Sequence, residues 1–150
     1  FVSNIKKVDS ANEEIMALDS VNTKHSAILN IKTSNYKGDF EFQKDSTANI
    51  KLLKNNITEL VYNTTATTNQ FAVFSEIFYI DGWNAYIDGE KRPHYNVNYV
   101  LRGMEIPKGN HEITFKYEPT VIKTGNIITL LSYGLLLLIP VGWFVIQRKK

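Results

Sequence analysis

The sequence predicts a mainly β protein: an antiparallel β-sandwich or jelly-roll-like domain with one short N-terminal helix, followed by a C-terminal transmembrane α-helix. Three observations carry this prediction. Between residues 110 and 118, His111, Ile113, Phe115 and Tyr117 alternate with Asn110, Glu112, Thr114, Lys116 and Glu118, the period-two pattern of a half-buried antiparallel strand. Short β-branched and aromatic runs recur between turn signals, notably Asp88-Gly89 and Pro107-Lys108-Gly109, a spacing that favours a sandwich over a βαβ layout. Residues 127–146 contain no charged side chain and thirteen of them are Leu, Ile, Val or Phe. At about 1.5 Å per residue such a run covers the roughly 30 Å hydrocarbon core of a bilayer.

Taken in order, residues 1–8 read as a strand. Ser10 and Glu13 form an S-x-x-E capping box ahead of a helix whose apolar face is expected at Ala11, Ile15 and Leu18. Residues 25–31 are a second strand. Turn residues at 35–38 and at Asp45-Ser46 bracket 39–44, and Lys54-Asn55-Asn56 reads as a tight connection between strands at 48–53 and 57–63. The tract 64–70 (TTATTNQ) reads as a polar loop. Residues 71–80 are apolar or aromatic on both alternating faces, as in a central strand buried on two sides. Asp88-Gly89 then closes a hairpin between 85–87 and 90–92, because that dipeptide tolerates positive φ. Pro107-Lys108-Gly109 makes a second tight turn, and Pro119 ends the last strand.

The expected organisation is a β-domain over 1–119, a linker over 120–126, the membrane helix over 127–146 and a basic tail over 147–150. Gly134, Pro140 and Gly142 are ordinary in a spanning helix, and Trp143 suits the headgroup level. Arg148, Lys149 and Lys150 favour a cytoplasmic C-terminus against Lys116 and Lys123 on the other side, which places the β-domain outside the cytoplasm. Residues 1–5 carry no basic, apolar export signal, so either a removed signal or, as favoured here, upstream membrane segments are expected to deliver the domain.

Composition narrows the chemistry. The formal charge is +2, but without the three terminal cations 14 basic residues face 15 acidic ones, so the β-domain is no nucleic-acid footprint. Cysteine is absent, which excludes disulfides, thiolate metal sites and thiol catalysis. Phosphate-binding glycine loops, nucleophile elbows and H-E-x-x-H are all missing. His25, His94 and His111 are far apart in sequence and have no metal-ligand spacing. Catalytic, metal and cofactor roles are therefore assigned to no residue.

Four side chains are candidates for ligand contact. Glu76 (in FAVFSEIFY) and Arg102 (in NYVLRGMEI) are charges in apolar runs. They read either as a cross-strand ion pair or as contacts to a polar ligand. Trp83 follows the turn residues Asp81-Gly82, and with Tyr86 it belongs to an aromatic cluster including Phe78, Tyr79, Tyr95 and Tyr99. Such a cluster can stack on sugar rings or fill a sandwich core.

The runs FSEIFYIDGWNAYIDGE (74–90) and NYVLRGMEIPKGNHEITFKYEP (98–119), with NEEIMAL (12–18) and TKHSAIL (23–29), closely resemble the C-terminal region of bacterial YfhO-family membrane proteins. Members of that family often carry Pro before the Gly-Trp pair, where this chain has Asp81, a difference expected to alter turn geometry only. The resemblance implies a large polytopic protein of the bacterial cytoplasmic membrane, similar to glycosyltransferases that use a sugar carried on polyprenyl phosphate. Such proteins are associated with glycosylation of lipoteichoic acid in the Gram-positive cell envelope. The catalytic carboxylate of such enzymes lies in an early extracytoplasmic loop, which no residue here matches. What the resemblance implies for this chain is an accessory extracytoplasmic domain plus the last membrane helix. Its partners would be the lipid bilayer, the upstream helices and a glycan or polyprenyl-phosphate sugar. A membrane-anchored carbohydrate-binding or purely structural β-module is the alternative.

Overall fold

The computed structural model describes residues 1–148 except Asn35, Lys37 and Asp39, without the side chains of Lys123 and residues 141–146. The expected turn at 35–38, the interfacial placement of Trp143 and the last two residues of the basic tail thus lie wholly or partly outside the described residues. Two compact units follow one another, Phe1–Glu118 and Pro119–Lys150.

In the first unit the elements run β1 (Asn4–Val8), α1 (Ala11–Ser20), β2 (Ser26–Asn30), β3 (Asn49–Asn56), β4 (Glu59–Ala66), β5 (Gln70–Ile77), β6 (Trp83–Ile87), β7 (Glu90–Arg92), β8 (Tyr95–Val97), β9 (Leu101–Ile106) and β10 (Gly109–Tyr117). A five-stranded sheet in the order β3-β4-β10-β6-β7 faces a three-stranded sheet in the order β5-β9-β8, and both are antiparallel. The alternation in β10 holds at its centre, although Thr114 is buried as well and Tyr117 is exposed. Ile113 and Phe115 are fully buried against Leu60, Ala85 and Ile87 of their own sheet and Phe74, Met104 and Ile106 of the other. Phe74 and Phe115 meet edge to face at 4.9 Å, the favoured aromatic geometry.

The opposite face of the smaller sheet builds a second cluster. Phe71, Tyr95 and Val97 pack there on Val2, Ala27 and Leu29 from the N-terminal segment. Gly103 lets the layers close up, because a Cβ there would lie 2.8 Å from Val97 and 2.9 Å from the Phe71 ring. β5 is thus buried on both faces only from Gln70 to Phe74; Ser75 and Ile77 are exposed, the strand ends at Ile77 rather than at residue 80, and its position is not central. Its ladder partner is β9, and among the described residues its other edge meets a single bridge, from Val2 to Phe71.

The N-terminal segment departs from the antiparallel rule. β1 and β2 pair in parallel from Asn4↔Ser26 to Val8↔Asn30, and α1 supplies the crossover that a parallel pair requires. Ser10 caps α1 by accepting the Glu13 N–H at 3.3 Å, while Glu13 accepts from Asp9 N–H at 3.1 Å. The buried face of α1 is not Ala11-Ile15-Leu18. Glu14 and Ala17 are buried with Leu18 partly so, whereas Ala11 and Ile15 are exposed. The helix is rotated because Glu14 is tied inward: its Oε1 accepts the Tyr99 N–H at 2.8 Å, and burial pushes its pKa up. Beside it Asn98, at φ 49°, exchanges two hydrogen bonds with the Ile28 backbone, both 2.8 Å. A polar, left-handed residue here acts as one more rung for β2.

Two turns lie elsewhere than expected. Lys54-Asn55-Asn56 belongs to β3, and the connection is Ile57-Thr58. The TTATTNQ tract is largely strand: Thr64 and Ala66 are buried in β4 and Gln70 in β5, leaving 67–69 as the loop. Order in that loop comes from Asp45, which accepts the N–H and hydroxyl of both Thr47 and Thr67. These four bonds hold the Asp45 carboxyl far below the usual carboxylate range.

The Asp88-Gly89 hairpin forms with both residues at positive φ, 50° and 83°, as a type I′ turn needs. It also carries an ion pair. His111 Nδ1 lies 2.6 Å from Asp88 Oδ2, its Nε2 lies 3.1 Å from the Lys108 carbonyl, and Asp88 Oδ1 accepts the Glu112 N–H. Both ring nitrogens thus face acceptors, which raises the His111 pKa and lowers that of Asp88. Because the folded pKa of His111 is raised, its stabilisation is complete below the unfolded value of 6.5 and is lost as pH rises through the folded value. Asp88 contributes above 3.8 and loses its part as pH falls through its lowered value. For this partly solvated pair the loss above pH 6.5 is expected to be about 0.5–1 kcal/mol. Urea midpoints across neutral to alkaline pH measure it, and Asp88→Asn should flatten that limb.

The second unit is α2 (Thr120–Arg148), a helix of 29 residues, or about 44 Å. Residues 120–126 are its first turns, so the chain passes into helix directly after Pro119. Among the described residues it is the one helix long and apolar enough to cross a membrane, over Thr120–Pro140, and the side chains described there are exposed. Thr124 and Ser132 turn their hydroxyls back onto the carbonyls four residues earlier, which satisfies them without water.

Candidate functional site

β9 places Arg102 where a hydrophobic residue would ordinarily sit. Arg102, Met104 and Ile106 share the face turned toward the five-stranded sheet, and Arg102 is only 1% exposed. Its guanidinium carbon lies 4.8 Å from the Trp83 ring centroid and 4.6 Å from that of Phe115. The cation is thus held between an indole from β6 and a phenyl from β10, where ring quadrupoles attract it. Opposite, the β5–β9 ladder shifts register between Phe74 and Ile77, and this irregularity turns the Ile77 carbonyl to accept from Arg102 Nη2 at 2.9 Å. Arg102 Nε and Nη1 are buried without a hydrogen-bond partner among the described residues. Burial pulls the guanidinium pKa down, and the nearby Glu76 and Tyr62 act the other way.

The expected Glu76–Arg102 ion pair is not made: among the described residues no contact within 4.0 Å joins them. Glu76 falls in the irregular stretch after Phe74, so its side chain leaves the cross-strand register that would have paired the two. Tyr86 is separated from Trp83 and Arg102 by the sheet itself. Trp83, Ala85 and Ile87 face inward, so Asn84 and Tyr86 face outward. There the Tyr86 hydroxyl donates to Glu118 Oε2 at 2.6 Å, Asn84 donates to the same oxygen at 2.9 Å, and Lys116 Nζ lies 5.6 Å over the Tyr86 ring.

Trp83 is half-buried. One part of its ring is held over Arg102, and another lines a cleft of about 880 Å³. Phe78, Asn84, Lys91, His94 and Glu105 also line it, with described residues of the 33–40 segment forming a further wall. His94 is packed against Phe78 (5.2 Å between centroids) and Phe115 (6.1 Å), and its Nε2 is buried without a hydrogen-bond partner among the described residues. Burial, with Arg102 and Lys91 nearby, lowers its pKa to about 4, so the ring is neutral at physiological pH and can donate or accept. An aromatic face flanked by an imidazole, a carboxylate and a cation suits a polyhydroxylated ring.

Of the four predicted contact residues, the structure puts Trp83 in the cleft, Arg102 beneath it, Glu76 within range of the Arg102 charge but not among the lining residues, and Tyr86 on the other face. His94 and Lys91 had no spacing signal. The hairpin folds β7 back along β6 and carries both to the Trp83 wall, a long-range effect of the Asp88-Gly89 turn. Among the described residues no group of three His, Asp or Glu converges as a metal site.

The sequence model of the family described as bacterial membrane protein YfhO matches residues 6–129. No curated protein and no solved structure matches the chain. The family match runs through the whole β-sandwich into the first turns of the apolar helix, and the chain belongs to the YfhO family of bacterial membrane proteins.

Proposed function

We propose that this chain is the accessory extracytoplasmic domain and last membrane helix of a polytopic glycosyltransferase of the bacterial cytoplasmic membrane. The enzyme would use a polyprenyl-phosphate-linked sugar to modify a cell-envelope polymer, and the cleft at Trp83 would hold part of the acceptor glycan. Family membership supports the membrane setting. The basic C-terminus of the helix supports an external β-domain. The observation that carries the glycan reading is Trp83 itself, an indole pinned over Arg102 and open to an 880 Å³ cleft with hydrogen-bonding groups beside it.

In the full-length protein, Trp83→Ala is expected to lower sugar transfer about fivefold or more, the loss of one aromatic stacking contact, with unchanged abundance in the membrane. Tyr86→Phe, on the other face of the sheet, should leave transfer intact. Loss of activity only in proportion to abundance would assign the domain a structural role instead. Glycan binding without transfer by the full-length protein would make it a membrane-anchored binding module.

A further inference from the structure

The two ends of the sandwich differ in what they show to solvent. At one end, three connections and the end of β10 come together. Tyr117 N–H bonds to the Thr58 carbonyl, Glu118 N–H to Gly82, Trp83 N–H to Tyr79, and Phe78 N–H to Val100. These bonds gather the 57–58 turn, the 78–82 loop and the 98–100 turn around the residues at which the chain leaves the domain. The side chains presented there are apolar: Ile57 is 96% exposed, Ile77 71% and Ile80 64%, with Tyr79, Tyr99, Val100 and Tyr117 also open. The other end carries the Asp88-Gly89 turn, Pro107-Lys108 and the 67–69 loop, and no large hydrophobic residue is exposed in those turns.

Seven exposed isoleucine, tyrosine and valine side chains at one end of a domain call for a partner. We propose that this end of the sandwich rests on the lipid bilayer, with Ile57, Ile77, Ile80 and Val100 dipping into the headgroup–acyl boundary and Tyr79, Tyr99 and Tyr117 forming an interfacial belt. Covalent length supports this occupant. Glu118 is bonded within the patch, α2 begins at Thr120, and the uncharged stretch begins at Ile127. Two extended and seven helical residues reach at most about 17 Å, so the patch cannot be far from the surface. Tyrosine is the residue that interfaces select, since its ring is apolar and its hydroxyl stays wet. Asp81, in the middle of the loop, keeps the contact shallow, because a carboxylate does not enter hydrocarbon.

The absence of cysteine makes the test direct. Ile57→Cys, Ile77→Cys, Val100→Cys and, at the far end, Lys108→Cys each give one labelling site for an environment-sensitive fluorophore. The full chain is reconstituted in vesicles of phosphatidylcholine and phosphatidylglycerol, with or without lipid carrying a nitroxide near the top of the acyl chain. Labels at 57, 77 and 100 are expected to be quenched by that lipid at least about threefold more than the label at 108. Labels at 57, 77 and 100 that stay open to an aqueous quencher and indifferent to the nitroxide lipid would overturn the proposal. Shielding from both quenchers would also overturn it, because a second copy or another protein surface would then cover the patch. Circular dichroism of each labelled variant confirms that the sheet is intact.

Discussion

Arg102→Met is expected to leave the β-domain as stable as the native chain or more so, whereas Arg102→Ala costs about 3 kcal/mol. Among the described residues, the guanidinium in the sandwich core has one hydrogen bond, to the Ile77 carbonyl, and its Nε and Nη1 have no partner. Glu76 acts on it through its charge without making an ion pair. Desolvating a cation costs several kcal/mol, and one carbonyl with two aromatic faces offsets only part of that. Methionine keeps much of the volume under Trp83, adds sulfur–aromatic contact with Trp83 and Phe115, and removes the orphaned donors. Alanine removes the charge too, but leaves a cavity where the side chain packed on Trp83 and Phe115. Chemical denaturation of the two variants gives the comparison. The same pair tests function: if Arg102 fixes the indole for glycan stacking, the methionine variant should be stable yet impaired in transfer. An equally active methionine variant would confine Arg102 to a packing role.

How much of this was legible in the sequence depends on the range of the physics involved. The inward Ile113 and Phe115 of β10, the Asp88-Gly89 hairpin and the Ser10 cap are set by neighbours within a few residues, and each appears where the pattern puts it, whereas Tyr117 at the end of β10 is exposed. The rotation of α1 was not legible, because a carboxylate, Glu14, is the inward residue, and its partner Tyr99 lies 85 positions away. TTATTNQ reads as a loop by composition, yet Thr64 is buried and bonded to the His111 carbonyl because β4 lies beside β10. The candidate site shows the same division. Trp83 and Arg102 stood out as an aromatic after a turn and a charge in an apolar run, and they do meet. Glu76 left the pair through a register shift that no local residue announces, and Tyr86 was assigned to the cluster by nearness in sequence although period two puts it on the other face.

Acidification from pH 6.5 towards 4 is expected to cost the β-domain about 2–3 kcal/mol through His94 alone. The folded protein holds this imidazole neutral, with its pKa lowered from 6.5 to about 4 by burial and by the charges of Arg102 and Lys91. The unfolded chain takes up the proton near 6.5, so stability is complete above that value and drains away as pH falls through the interval. His111 cannot mask this limb: its raised pKa keeps its contribution constant below 6.5 and variable only above it. Glu14 works in the opposite direction, since a carboxyl with a raised pKa gains stability as it is protonated. The slope of the native chain alone therefore understates the His94 effect. His94→Phe isolates it, because a phenyl ring keeps the packing on Phe78 and Phe115 while removing the titration. Unfolding midpoints of the two chains should converge at neutral pH and separate steadily below 6, with the phenylalanine variant the more stable. Parallel curves would mean that the imidazole is hydrated from the cleft and can accept its proton in place. The contrast with Arg102 lies in the alternatives open to each group. An arginine core cation cannot shed its charge and must bear the desolvation cost at every pH. The histidine just before β8, the neighbouring strand, escapes it by staying neutral until acid forces the proton on.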